Sequence, residues 1–329
     1  MRNVFIIGNG FDLDLGLPTK YTDFANSSFW PKASPIAPSN VSPDSGIIKM
    51  GNSPSYIFLD HYLDRKRNLD TWFDLENELL QYSSIDNKTF GKERIPFVEK
   101  NIAYYRKLQD SLCDYIISIE DNITNKDAIA GTVLKSVIDN EYFEQIYSFN
   151  YTNLNKIARS FGIYKDIDYT HLHGKVEDRS IILGVDDSKL RSGYELFHKS
   201  SSRYYRSHDI YNALTNANEI VIYGLSFGNI DYSYFDRFFR NLSNGESISE
   251  ESKKNITIFT KDDNSRLSII GKLREMDISI RRLYAQSHFQ IICTNDEKDK
   301  RLLYGFIKRI YDNSRSEYDR SLDALSNML

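Results

Sequence analysis

The chain opens with Val4-Phe5-Ile6-Ile7, and Gly8-Asn9-Gly10-Phe11-Asp12 follows without a break. An apolar run with no polar alternation is how a short strand buried on both faces reads. A strand that ends in Gly-x-Gly and leads into a helix start is where α/β folds often hold a phosphate. Glycine lets the backbone approach the ligand, and free N–H groups at a helix start attract negative charge. A plain tight turn from strand to helix uses the same residues, and a lone Gly-x-Gly does not separate the two readings.

Beyond the opening, Leu15-Gly16-Leu17-Pro18-Thr19 reads as a turn, with Thr19 as N-cap of a helix through Tyr21 and Phe24. Residues 26–55 hold five of the seven prolines among Ser, Asn and Gly, which marks a long loop. A helical block follows, over about 57–66, 70–82, 96–119 and 128–140. The third helix shows Ile102, Tyr105, Leu108, Leu112 and Ile116 on one face. Strands are then expected at 145–149, 168–172, 180–183, 219–223, 255–259 and 289–293. Between and after them come helices at 154–161, 205–216, 232–242, 264–276 and 297–311, with a helical tail from 313. This alternation implies a doubly wound, mainly parallel Rossmann-like α/β sheet in a single domain over 1–329. A large loop-plus-helical insertion, 26–140, follows the first strand.

The bulk composition narrows the partners. A net charge of −4 gives no general drive toward nucleic acid or an anionic membrane, and basic residues such as Arg203, Arg206, Arg281 and Arg282 read as solvated faces. With 23 tyrosines and only two tryptophans, helix packing or an oligomer contact is the expected use of the aromatic rings. Cys113 and Cys293 stand alone, so neither a disulfide framework nor a zinc site is expected. No stretch approaches the ~18 apolar residues of a membrane span, and a cytoplasmic location is expected.

Ligands of parallel sheets bind at the carboxyl ends of the strands, at a switch point. Glycine-rich or polar segments follow the expected strands there: Gly8 to Asp12, Asn150-Tyr151-Thr152-Asn153, His171-Leu172-His173-Gly174, and Gly224-Leu225-Ser226-Phe227-Gly228-Asn229-Ile230-Asp231. Each has a plainer role as well. Asn150 and Asp231 suit N-caps. His171 and His173 share a strand face at spacing two, yet no further carboxylate or cysteine completes a metal set, so one reads as structural and the other as facing a ligand. Asp74 and Glu76 point to different faces of a helix. One is free to reach the crevice, or both simply make an acidic first turn.

Together these segments resemble the AbiH family of bacterial abortive-infection proteins. The resemblance rests on Ile7-Gly8-Asn9-Gly10-Phe11-Asp12, Gly16-Leu17-Pro18-Thr19, Tyr21-Thr22-Asp23-Phe24, Trp72 to Glu76, Ser148 to Thr152, His171 to Gly174, and Tyr223 to Asp231. More distantly, the same blocks are similar to the sirtuin-like fold. That likeness implies phosphate-cradling roles for Gly8 and Gly10, a ribose contact for Asn150, a catalytic base at His173 and an adenosine-side loop at Gly224 to Ser226. It also implies an acidic site position at Asp231. The chain departs from it at Asn9, where a small residue is usual, and at Phe11-Asp12 in place of Ile-Ser. The Cys-x-x-Cys zinc module of protein deacylases is absent from the sequence.

The expected site therefore has His173 and Asn150 as catalytic residues. Gly8, Asn9, Gly10, Phe11, Asp12, Thr19, Tyr151, His171, Gly224, Ser226 and Asp231 are expected to bind NAD, as substrate or ligand, with no metal. The implied function is an NAD glycohydrolase in phage defence, acting as a homo-oligomer or with a partner defence protein. The alternatives are a nucleotide-binding sensor without catalysis and, with less support, a nucleic-acid-targeting effector. The loop 26–55 or the tyrosine-rich helices are expected to control access or assembly.

Overall fold

The computed structural model describes residues 2–34, 58–69, 74–84, 94–185, 190, 194–205, 210–228, 231–245 and 249–326. Most of the proline-rich loop, Trp72 and Phe73, Arg206, His208, Asn229 and Ile230 lie outside the described residues.

In chain order the elements are β1 (Arg2–Ile7), α1 (Asn9–Asp14), α2 (Tyr21–Ala25), α3 (Leu59–Leu69), α4 (Leu75–Ser84), α5 (Arg94–Ile119) and α6 (Ile129–Asp139). Then come β2 (Gln145–Ser148), α7 (Leu154–Ser160), β3 (Thr170–His171), α8 (Ile210–Asn216), β4 (Ala217–Tyr223) and α9 (Ser233–Asn244). The last are β5 (Lys254–Thr260), α10 (Asp263–Glu275), α11 (Ile280–Gln286), β6 (Ser287–Cys293) and α12 (Lys300–Ser326). The chain forms two compact units. The first comprises Met1–Leu17, Glu120–Leu172 and Ser207–Leu329; the second comprises Pro18–Ile119 and His173–Arg206.

The first unit holds the whole sheet, six parallel strands in the order β3-β2-β1-β4-β5-β6. This is the doubly wound Rossmann-like order, and the direction of winding reverses between β1 and β4. Alternation along each strand divides the core. Val4 and Ile6, with Ile220, Ile222, Ile256 and Ile258, pack under α8 and α9 with Phe235 and Phe239. Phe5 and Ile7, with Val221, Tyr223 and Phe259, pack on the other face with Val133 and Leu134 of α6 and Phe306 and Ile310 of α12. Burial on both faces is why β1 and β4 read as unbroken apolar runs. Helix α6 is stitched to the end of α1 by Asp14, whose Oδ2 accepts from the Ala130 N–H at 2.9 Å and the Tyr223 hydroxyl at 2.5 Å. Sequence places α6 in the helical insertion; its packing is with the sheet.

In the second unit, Leu59 and Leu63 of α3, Leu75 and Leu79 of α4, and Leu108 and Leu112 of α5 are buried. Asn101 ties the three helices. Its Oδ1 accepts from Leu59 N at 3.1 Å and its Nδ2 donates to the Tyr82 hydroxyl at 3.0 Å. The 180–183 segment, expected as a strand, is not one. Its amides serve the turn after His173, with Ile182 N donating to His173 O at 2.7 Å and Ser180 N to Lys175 O at 3.1 Å. Its apolar run is buried as a plug, and the nearest ladder contact is a single bridge between Val185 and His198. Thr19 is not the N-cap of α2 either: Lys20 is, and its N–H donates to Asp23 Oδ2 at 3.1 Å.

The joint between the β1 and β4 turns is tight enough to test. Gly224 has φ +69°, and a Cβ there would lie 2.3 Å from Phe11 N. Gly224→Ala should cost about 2–4 kcal/mol, combining left-handed strain with backbone overpacking. Urea denaturation should show a lower midpoint with an unchanged slope.

Candidate functional site

At the carboxyl ends of β1, β2 and β4 the three turns of the first unit meet. Gly8 N donates to Tyr223 O at 2.8 Å and Gly10 N to Gly224 O at 2.8 Å, so the β1 turn is hydrogen-bonded along the β4 turn. A Cβ on Gly10 would come within 2.6 Å of Gly224 Cα, and one on Gly8 within 2.9 Å of Gly224 O. The glycines are required by backbone meeting backbone, and their amides are engaged by the carbonyls of Tyr223 and Gly224. That physical reason for the Gly-x-Gly differs from the phosphate approach expected from sequence.

Asn150, at the end of β2, bridges to the same turn: its Nδ2 donates to Gly8 O at 3.1 Å, and its own N–H is held by Ser148 Oγ at 3.1 Å. It does not cap α7, whose N-cap is Asn153, accepting from Lys156 N at 3.1 Å. His171 braces Asn150 from β3. Its Nδ1 donates to Asn150 O at 3.1 Å, which leaves Nε2 to accept from the Tyr169 hydroxyl at 3.0 Å. Both ring nitrogens of His171 are thus engaged within the first unit. Because β3 ends at His171, the two histidines do not share a strand face.

Asp12 is strongly perturbed. It is 1% exposed, its Oδ2 accepts from the Thr152 hydroxyl at 2.9 Å, and its Oδ1 has no hydrogen-bond partner among the described residues. Burial pushes its carboxyl up to about 7; the Thr152 hydroxyl and the Asn150 amide draw it down, and the charge of Glu120 pushes it up again. Glu120 is itself buried and paired with Lys156, and it accepts from Asn153 N at 3.2 Å.

Of the other expected site residues, Asn9 and Ser226 are exposed, Tyr151 is half-buried, and Phe11 is buried against Tyr223. Next to Ser226, Phe227 is fully buried at φ +52°, a conformation that a bulky residue adopts only when its surroundings over-determine it. Here Phe235 and Phe239 pack edge-on against its ring. Asp231 does not cap α9; the N-cap position is Tyr232.

Thr19 and His173 fall in the second unit. There Nε2 of His173 lies 3.0 Å from Nζ of Lys199, and that ammonium lies 3.6 Å from Oε1 of Glu76. Burial first, and the Lys199 charge second, hold the His173 imidazole well below its ordinary range, so it is neutral. The Asp74/Glu76 pair divides as its spacing implies. Asp74 caps α4, accepting from Asn77 N at 3.2 Å, and Glu76 is buried, accepting from Gly184 N at 3.2 Å. Sequence reading missed Lys199. Its only local signal was an isolated lysine beside His198, and its partners stand 26 and 123 positions away. Among the described residues no group of three or more His, Cys, Asp and Glu is arranged to hold a metal ion. Nor is any helix among them long and apolar enough to cross a membrane.

The raised carboxyl of Asp12 has a measurable consequence. Its ordinary value in the unfolded chain is 3.8 and its folded value about 7, so between these the folded state holds a proton that the unfolded state lacks. Stability therefore falls as pH rises through that window, by up to about 4 kcal/mol. Asp12→Asn should melt close to wild type at about pH 4 and above it at about pH 8. Equal pH dependence of the two melting curves would show that Asp12 folds with an ordinary carboxyl.

Comparison with known proteins gives one family match: the model for bacteriophage abortive infection AbiH covers residues 4–249. The search of curated proteins returns no match. The matched span takes in β1, β2, β3 and β4, the turns that meet at Asp12 and Asn150, and the His173–Lys199–Glu76 cluster. The chain belongs to the bacteriophage abortive infection AbiH family.

Proposed function

We propose that the chain is an abortive-infection effector that hydrolyses NAD at the bond between nicotinamide and ribose. Membership of the family gives the role in phage abortive infection; the substrate and the reaction are our reading. The observation that carries it is the reversal of winding between β1 and β4, with the β1, β2 and β4 turns meeting there. Sheets of this order take dinucleotides at that point.

Cleaving an N-glycosidic bond builds positive charge on the ribose. It needs a base for a ribose hydroxyl or water, a group that orients the sugar, and a place for the pyrophosphate. In this reading His173 is the base, and its neutral imidazole has the lone pair the task requires. Asn150 orients ribose or water. The exposed Asn9 meets the pyrophosphate, since the amides of Gly8 and Gly10 are engaged by the carbonyls of Tyr223 and Gly224. Asp12, pushed up to about 7, presents less than a full negative charge to the phosphates near neutral pH. This answers the difficulty raised by a carboxylate standing where the sirtuin-like pattern has serine.

A second reading, a nucleotide sensor without catalysis, is favoured by one observation: Asp12, Asn150 and His173 are only 1%, 6% and 6% exposed. Release of free nicotinamide from NAD separates the two. The effector reading expects release by the full chain, in lysate of infected cells if not before. It also expects a loss of roughly 10²–10⁴ in rate, about 3–5 kcal/mol in the barrier, for His173→Ala. A loss under about tenfold would remove His173 as the base. NAD bound and left intact by the infected-cell protein would establish the sensor.

A further inference from the structure

The second unit buries three ionisable side chains in one chain of contacts: His173, Lys199 and Glu76 are 6%, 6% and 7% exposed. Lys199 opens a short helical turn, Lys199–Ser201, and its backbone N–H donates to Val185 O at 3.0 Å, so its stem is anchored. Tyr105 of α5 flanks the group; its hydroxyl donates to Leu183 O, and burial and the Glu76 charge keep it un-ionised. An ammonium has hydrogens to give and no lone pair, and a neutral imidazole has one accepting nitrogen. The 3.0 Å contact therefore makes Nε2 of His173 the acceptor and puts the ring hydrogen on Nδ1.

We infer that Lys199 holds His173 out of action: its ammonium occupies the one lone pair with which that imidazole can take a proton. This rests on the reading of His173 as the base. For the proton of a ribose hydroxyl or water to reach Nε2, the Lys199 N–H···Nε2 bond must first break. The ammonium then remains on Glu76, which already shares it at 3.6 Å. Lys199 is in this sense a positioning residue. The resting protein is restrained by a contact within the site, and the restraint is electrostatic as well as steric, because a proton on Nε2 would face a cation.

The test uses the full chain in two assays, nicotinamide release from NAD and the titration of the His173 ring nitrogens by NMR. Lys199→Met removes the donor. Lys199→Met with Glu76→Gln removes both charges and guards against misfolding around an unpaired buried carboxylate. Lys199→Arg keeps a charged donor. We expect resting nicotinamide release to rise roughly tenfold or more in the first two variants, to stay near wild type in Lys199→Arg, and to vanish when His173→Ala is added. The His173 titration should move upward toward the ordinary imidazole range in the first two variants. Release that falls or stays level in both, where wild type is active and His173→Ala is not, overturns the inference. An upward titration shift with no nicotinamide from any variant supports the restraint and overturns the NAD reading. A titration that does not move overturns the restraint whatever the activity.

Discussion

The backbone contact between the β1 turn and the β4 turn is the constraint on which the first unit depends. The pairing of β1 with β4 is carried past the ends of both strands by hydrogen bonds from Gly8 to Tyr223 and from Gly10 to Gly224. Side chains at these positions would overlap backbone, so the contact needs glycine on both sides. Once it is made, α1 begins at Asn9, and Asp12 in its first turn is carried into the interior. The carboxyl cannot swing back to water without undoing the turn. Its burial, its bond to Thr152 and its displaced titration all follow from where glycine lets the turn sit.

Asn150 shows how the contact is extended to the next strand. Its amide reaches Gly8 O, its N–H is held by Ser148, and its carbonyl is held by His171, which leans on Tyr169. Adjacent strands therefore contribute to one polar lattice at the carboxyl edge. Its members are mostly buried, so each hydrogen bond replaces one lost to water, and removing any single partner leaves a buried group unsatisfied.

The parts of the fold that were legible in the sequence are those set by local pattern. Val4 to Ile7 and Glu219 to Tyr223 announce strands because both faces are covered, and Tyr105, Leu108 and Leu112 announce a helix because one face is. Ile181-Ile182-Leu183 carries the same apolar signal without being a strand, since burial alone does not specify a ladder partner. The site was legible as positions and less so as roles. Gly8, Gly10 and Gly224 stand out in the sequence, but the contact that requires glycine at them lies with a partner more than two hundred residues away, which no local window contains. The two histidines of His171-Leu172-His173 were expected on one strand face, and the strand's end at His171 gives them different surroundings. Lys199 was invisible, because a buried lysine differs from an exposed one only through distant partners.

The perturbed groups of the two units share a physical logic. Withdrawal of water raises the carboxyl of Asp12 and lowers the imidazole of His173, opposite directions that both favour the uncharged form. Near neutral pH Asp12, at about 7, is left only part-ionised, and His173 is neutral. Any chemistry at them depends on a ligand, or water admitted with it, supplying the polarity that the fold withholds.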